Sequence, residues 1–490
     1  MKNTGILYIR MFVTLLVSLY TSRVTLELLG VDDFGVYGVI GGVVTLFSFL
    51  TRTLTASFNR YLCIGIAHDD ENEINHVVGA SMIIQALIVL TVLILGETIG
   101  IWFINNYLVI RPEKLIAAHI VFQFSVATFI LNIFTSAYNS IIISYERMSV
   151  YAYICIFEVI AKLAVVFALG LSVTGRLECY AGYLFGVQAL ILAVYYAYTK
   201  RAYPRIHADF KDSRPYVRSM ISFAGFGFLG SFAFVAKNQG LNFLLNIFCG
   251  PALNAARSVS FQVYTAVYNF VGNFQTAFSP YILKRQTTDS EAACNGDIKV
   301  FTVLSFGVMV FLMIPIWFAA PEIIHLWLGD NVPPYTVVFT RLILIIGLCE
   351  AVSAPLLNII NGSGRIKTLQ IMAFLVYTFV VLCSYQFLKN GGSPSIVYYV
   401  DVIANVVMIG IRIIVAGNTT DLHPAEYMKV TFMPMIFVLS GIGLIYFCTE
   451  KNMVNSIAGI LVSELLLMVY IYKYTPREIM RTIFKRLLRN

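Results

Sequence analysis

Eight basic residues fall inside long apolar runs: Arg10, Arg23, Arg52, Lys162, Lys237, Arg257, Arg341 and Arg412. The carboxylates in comparable runs are Glu27, Glu97, Glu158, Glu350, Asp401 and Glu464. A charge at the centre of a lone membrane helix costs about 2.5 to 3.5 kcal/mol, so such residues face a partner, water or the protein interior. Their chemistry is electrostatic: cations hold an anionic group, and carboxylates take up a proton or a metal cation. Two pairs have a local explanation, because Arg23 and Glu27, and Glu158 and Lys162, stand four apart on one helix face. Arg412 lies close to the end of its run and is expected to snorkel to the surface. Arg10 and Arg52 sit at similar depth near the cytoplasmic ends of two antiparallel helices. They read either as an anion site open to the cytoplasm or as two snorkelling side chains. Lys237 and Arg257 lie nearer the outer ends of their helices. Glu350, in "LIIGLCEAVSAP", has no basic residue at i±3 or i±4. It is the leading candidate for coupling to an H+ or Na+ gradient, with Glu158 and Asp401 beside it, and pairing of Glu350 with Lys237 is the alternative.

The elements that position these residues follow from composition. Of 490 residues, 59% are hydrophobic and 12% charged, against about half and a quarter in a soluble domain. The chain reads as an all-α integral membrane protein, since backbone groups in lipid must be satisfied within each segment. Apolar runs mark fourteen expected spans, at about 6–29, 34–58, 77–104, 115–144, 148–171, 179–198, 219–247, 252–283, 298–326, 336–361, 368–388, 395–416, 428–447 and 455–473. With the N-terminus inside, about 21 of the 34 Lys and Arg fall on the cytoplasmic side and about 5 outside. Both termini are therefore expected in the cytoplasm of a multi-pass inner-membrane protein. The net charge of +8 lies largely in a cytoplasmic loop, "TKRAYPRIHADFKDSRPYVR" at 199–218, and in an amphipathic tail at 474–490 suited to an anionic leaflet. Membrane lipid is thus an expected partner and nucleic acid is not.

An offset of 220 aligns "LGVDDFGVYGVIGGVVTLFSFLTRTLTASFNRYL" from Leu29 with "CGPALNAARSVSFQVYTAVYNFVGNFQTAFSPYI" from Cys249 without a gap. Gly30 meets Gly250, Val39 meets Val259, Phe58 meets Phe278 and Tyr61 meets Tyr281. The organisation read from this is two pseudo-symmetric six-helix lobes, 1–198 and 219–416, followed by two further helices within 417–473. Parallel repeats of this kind place a transport site at their interface and move by rocking. Arg52 aligns with Gly272, Arg257 with Tyr37 and Lys237 with Val17, so the cations are not part of the shared scaffold.

No Walker A loop, HExxH or GxSxG stands in a supporting context, the cysteines lie singly, and the histidines do not cluster. Neither a catalytic centre, a metal site nor a cofactor is expected. The outer loops are short, which argues against a membrane-embedded oligosaccharide polymerase or ligase.

The stretches "LGVDDFGVYGVI", "SFNRYL", "NSIIISYERMSVYAYICIFEVIAKL" and "LLNIINGSGRIKTLQIMAF" resemble the polysaccharide-export branch of the multidrug/oligosaccharidyl-lipid/polysaccharide (MOP) exporter superfamily. Within it the likeness is to lipid-linked oligosaccharide flippases of the O-antigen and capsule type. The resemblance implies a V-shaped two-lobe transporter carrying an undecaprenyl-diphosphate-linked oligosaccharide to the outer leaflet, driven by an ion gradient and working beside other polysaccharide-assembly proteins. It assigns contact with the diphosphate to Arg10, Arg23, Arg52, Lys237 and Arg257. A multidrug or metabolite exporter of the same fold is the alternative, for which a carboxylate-rich cavity would be expected.

Overall fold

A computed structural model describes residues 2–475 apart from 146, 173–174, 289–290, 363–366, 420–421 and 450–452. Residues 476–490 of the amphipathic tail lie outside the described residues. Among them there is no strand. The helices are α1 (Lys2–Thr45), α2 (Ser48–Ala67), α3 (Glu71–Leu95), α4 (Ile101–Asn106), α5 (Leu115–Ser144), α6 (Met148–Leu171), α7 (Arg176–Ala202), α8 (Arg214–Cys249), α9 (Pro251–Thr288), α10 (Glu291–Phe318), α11 (Ala320–Leu328), α12 (Thr336–Gly362), α13 (Lys367–Lys389), α14 (Ile396–Thr419), α15 (Pro424–Tyr427), α16 (Met433–Cys448) and α17 (Met453–Tyr474). Short π-helical turns bridge α3 to α4 and α15 to α16. Helix occupies every segment expected to span, and among the described residues eleven helices are long and apolar enough to cross a membrane.

α1 is two helices meeting at Gly30, where φ is 79° and ψ 169°. At Gly250, between α8 and α9, φ is 84° and ψ 176°. This region is open almost only to glycine. The two glycines that the 220-residue offset brings together thus share one backbone conformation, and each joins two helices.

By contact the chain forms two compact units, one of residues 1–258 with 388–394 and the other of residues 259–387 with 395–490. In the first, Val36, Val39, Ile40, Ile84 and Phe122 are buried in one core. In the second, Phe306, Met309, Leu344, Leu467 and Tyr470 are buried together, so α17 is built into that core. Lipid is as apolar as leucine, so close packing and polar contacts, not burial alone, fix which helices meet. α8 belongs to the first unit and packs on α2, α1 and α3. A Cβ at Gly35 would overlap the Pro251 carbonyl, and one at Gly38 would stand 2.8 Å from Ser258 Oγ. Further along, Phe49 meets Phe228 and Phe232 edge-on, and Ser57 Oγ donates to the Met220 carbonyl at 3.0 Å.

Of the segment read as a loop at 199–218, only 203–213 is non-helical, and it is strapped to the first turns of α3. Buried Asn75 accepts from the His207 amide at 3.0 Å through Oδ1 and donates to the Arg205 carbonyl at 3.4 Å. Its own carbonyl accepts from the Asp209 amide at 3.2 Å. His76 Nε2 stands 3.4 Å from Asp209 Oδ2, and Tyr203 stacks on Tyr145 with centroids 4.4 Å apart. The Lys211 backbone N–H holds the Asp209 carboxyl below the usual aspartate range, with His76, His207 and Lys211 adding to the effect against desolvation. A lowered carboxyl stabilises the strap fully above the unfolded aspartate value and loses that contribution only as pH falls through the lower folded one. The Asp209 contribution is therefore fully present at neutral pH. Asn75→Ala removes both side-chain bonds, at about 1 to 3 kcal/mol, and is expected to make trypsin cleave after Arg205 faster than in wild type. Unchanged cleavage kinetics would show that Asn75 does not hold the strap.

Candidate functional site

The first unit gathers its polar side chains on the facing sides of α8 and α9. The run "KNQGLNFLLNIF" puts Asn238, Asn242 and Asn246 at i, i+4 and i+8, one row on α8. Gly250 turns the chain back so that α9 faces this row. Asn254 Nδ2 donates to the Asn242 carbonyl at 2.7 Å and to Asn242 Oδ1 at 2.8 Å. Asn246 Nδ2 donates to Asn254 Oδ1 at 3.0 Å. Asn246 Oδ1 also accepts from the Val109 amide at 2.8 Å. Amides in an apolar span are costly unless bonded, and this ladder bonds them to one another and to backbone.

Against the ladder lie two cations. Lys237 is 2% exposed and Arg257 7%. Arg257 Nη2 donates to the Asn238 carbonyl at 3.0 Å, one residue along from Lys237. Lys237 Nζ stands 5.7 Å from the centre of the Phe234 ring. The hairpin thus brings together two of the cations singled out by the sequence, from adjacent helices. Arg23 is on α1 and exposed. Arg10 and Arg52 lie on α1 and α2, and their side chains are outside what the structure describes. Glu158 closes its expected pair with Lys162 at 2.6 Å on α6, while Glu27 is exposed on α1.

The second unit holds a polar cluster on α9, α12 and α14. Tyr264 donates its hydroxyl to Glu350 Oε2 and stacks on Tyr268, centroids 5.4 Å apart. Ser353 Oγ donates to the Glu350 carbonyl at 3.2 Å and accepts from Arg412 Nη1. Arg412 does not snorkel as expected: it turns inward to α12, because a hydroxyl three residues from Glu350 gives the guanidinium a buried acceptor. Asp401, 4% exposed, accepts from Asn405 Nδ2 at 3.0 Å through Oδ1. Pro355 cannot donate to the Ala351 carbonyl, four residues back. Gln275 Nε2 does so instead, at 2.9 Å, which ties α9 to α12 at Pro355. Arg341 has the same kind of structural duty. Pro321 leaves the Trp317 carbonyl without its helical donor, and Arg341 Nε supplies one at 3.2 Å while its guanidinium lies 5.4 Å from the Tyr446 ring.

Sequence reasoning passed over the asparagine row and Tyr264. The four-residue spacing of Asn238, Asn242 and Asn246 in an apolar run was a readable signal. Tyr264 lies well inside the expected span 252–283, unlike the tyrosines near span ends, but its partner Glu350 is on another helix.

No known protein-family profile matches the sequence, and no curated protein does so significantly. Solved structures do resemble it. The inward closed form of lipid II flippase MurJ superposes with a TM-score of 0.67, at 12% identity, over 100% of this chain and 99% of that one. An inward-facing multidrug resistance MATE family transporter of the MOP superfamily gives 0.61 at 15% identity, over 84% and 96%. The chain shares its helical fold with both. A MOP superfamily transporter from Pyrococcus furiosus, whose binding pocket is described as reversed in polarity, gives 0.56 at 13% identity, over 85% and 94%. At these identities the fold alone is what is shared; the eleven long apolar helices among the described residues are those of a multi-pass membrane protein.

Proposed function

We propose that the chain is a flippase that moves an undecaprenyl-diphosphate-linked oligosaccharide from the inner to the outer leaflet of the cytoplasmic membrane by alternating access, for polysaccharide assembly. In this reading it crosses the membrane fourteen times as two six-helix lobes with two added helices, and both termini are cytoplasmic. The observation that carries it is the burial of Lys237 and Arg257 on one helical hairpin. Two buried cations are costly to a fold and suit the diphosphate, a group that needs charge-assisted bonds in a dry setting. Arg10, Arg23 and Arg52 complete the proposed cationic set. A lipid II flippase with the same fold over the full chain length supports the choice of a lipid-linked anion.

Glu350 is the proposed coupling group, with Asp401 beside it in the second unit, and Glu158 is assigned to its ion pair with Lys162. The Tyr264 hydroxyl donates to the Glu350 carboxylate, a contact that joins the proposed coupling group on α12 to α9. The same two carboxylates favour the second reading, export of cationic drugs or metabolites, as in the multidrug member of the fold. One experiment separates them. The purified chain in proteoliposomes is expected to translocate a fluorescent undecaprenyl-diphosphate oligosaccharide faster under an imposed proton gradient. Glu350→Gln is expected to keep the basal rate and lose the acceleration. Transport of ethidium but not of the glycolipid would replace this reading with the second.

A further inference from the structure

Between α1, α5 and α7 of the first unit lies an open recess with a cavity volume of about 150 Å³, room for a single small ring and not for a whole drug-sized ligand. Its polar and aromatic side chains are Tyr37, Thr45, Ser125, Thr128, Phe129 and Asn132. The remaining lining is Gly41, Val44, Ala181 and Leu184, so no described residue lining it carries a charge. This is unlike the Lys237–Arg257 hairpin in the same unit.

The lining offers two kinds of contact. Asn132 Nδ2 donates to the Thr128 carbonyl at 3.1 Å, which orients the amide and leaves Oδ1 to accept. The hydroxyls of Ser125 and Thr128 make no hydrogen bond among the described residues, so each can both donate and accept. Tyr37 is braced edge-on by Tyr180, centroids 4.9 Å apart, and Phe129 presents a second ring. Gly41 adds space: a Cβ built there meets no atom within 4 Å. A diphosphate finds no cation in this recess and a cationic drug finds no carboxylate. An uncharged, hydroxyl-rich ring finds stacking faces and exchangeable donors and acceptors. We infer that this recess is the subsite for the neutral sugar of the lipid-linked substrate, an inference that rests on the flippase reading above.

The test uses the full chain in proteoliposomes with two probes, undecaprenyl diphosphate carrying a neutral disaccharide and the same lipid without sugar. Gly41→Leu fills the recess without displacing backbone, and Thr128→Val removes a hydroxyl at nearly constant volume. Both variants are expected to slow the glycosylated lipid about tenfold and to move the bare lipid at the wild-type rate. Where Gly41→Leu does not purify as monodisperse protein, Thr128→Val alone decides. Equal rates for wild type and variants on the glycosylated lipid, or equal losses on both lipids, would overturn the subsite and leave the flippase reading standing. Failure of wild type to move either lipid would remove that reading, and the subsite with it.

Discussion

Lys237→Met is expected to leave the protein inserted and monodisperse and to cut translocation of the lipid-linked diphosphate by about ten- to a hundredfold, the worth of one buried charge-assisted bond. Methionine keeps the stem that passes Phe234 and removes the ammonium. Arg257→Gln is expected to match it, whereas Arg257→Lys retains the charge and recovers part of the rate without the reach to the Asn238 carbonyl. The two cations sit on one hairpin, so their effects should not add: the double variant should be little worse than either single one. Thermal unfolding in detergent runs beside the transport assay, because removing one member of a buried network also destabilises. Wild-type transport by both Lys237→Met and Arg257→Gln would sink the cationic-site reading.

The second large effect is on folding. Gly30→Ala and Gly250→Ala are each expected to cost about 1 to 3 kcal/mol, since both residues hold φ near +80° with extended ψ, a region that a Cβ makes strained. Nothing lies within 4 Å of a Cβ at either site, so the penalty is backbone strain and not a clash. Gly170→Ala is the control. That residue is helical, with the same open surroundings, and alanine there should stabilise by about 0.5 to 1 kcal/mol. Unfolding of all three by SDS titration in mixed micelles reads the difference. A neutral Gly250→Ala would mean that the reversal relaxes into an ordinary turn, and the shared geometry at Gly30 and Gly250 would lose its importance.

Much of the scaffold was legible in the chain. Runs of apolar residues longer than a bilayer core force helices, because lipid offers no alternative hydrogen-bond partners, and helix stands in every segment so identified. The gapless offset of 220 pointed to Gly30 and Gly250 as counterparts, and the structure gives both the same positive-φ backbone. Glu158 and Lys162 were paired by spacing alone, since four residues on one helix fix their separation before any tertiary contact forms.

Other assignments needed the tertiary structure. Arg412 was read as a snorkelling residue from its place near a span end, and Ser353 on another helix drew it inward. Arg341 counted among the charges in lipid until Pro321 was seen to leave a carbonyl that it bonds. Gln275 likewise serves Ala351 because of Pro355. The assignment of α8 to the first unit was invisible to hydropathy, which is nearly the same on every face of an apolar span. The sequence by itself determined that there would be many helices, roughly where along the chain they would lie, and that their charges needed partners. Which helix faces which was left to glycine-sized gaps, proline-freed carbonyls and the asparagine row, because between equally apolar surfaces in lipid only shape and polar contacts carry a preference.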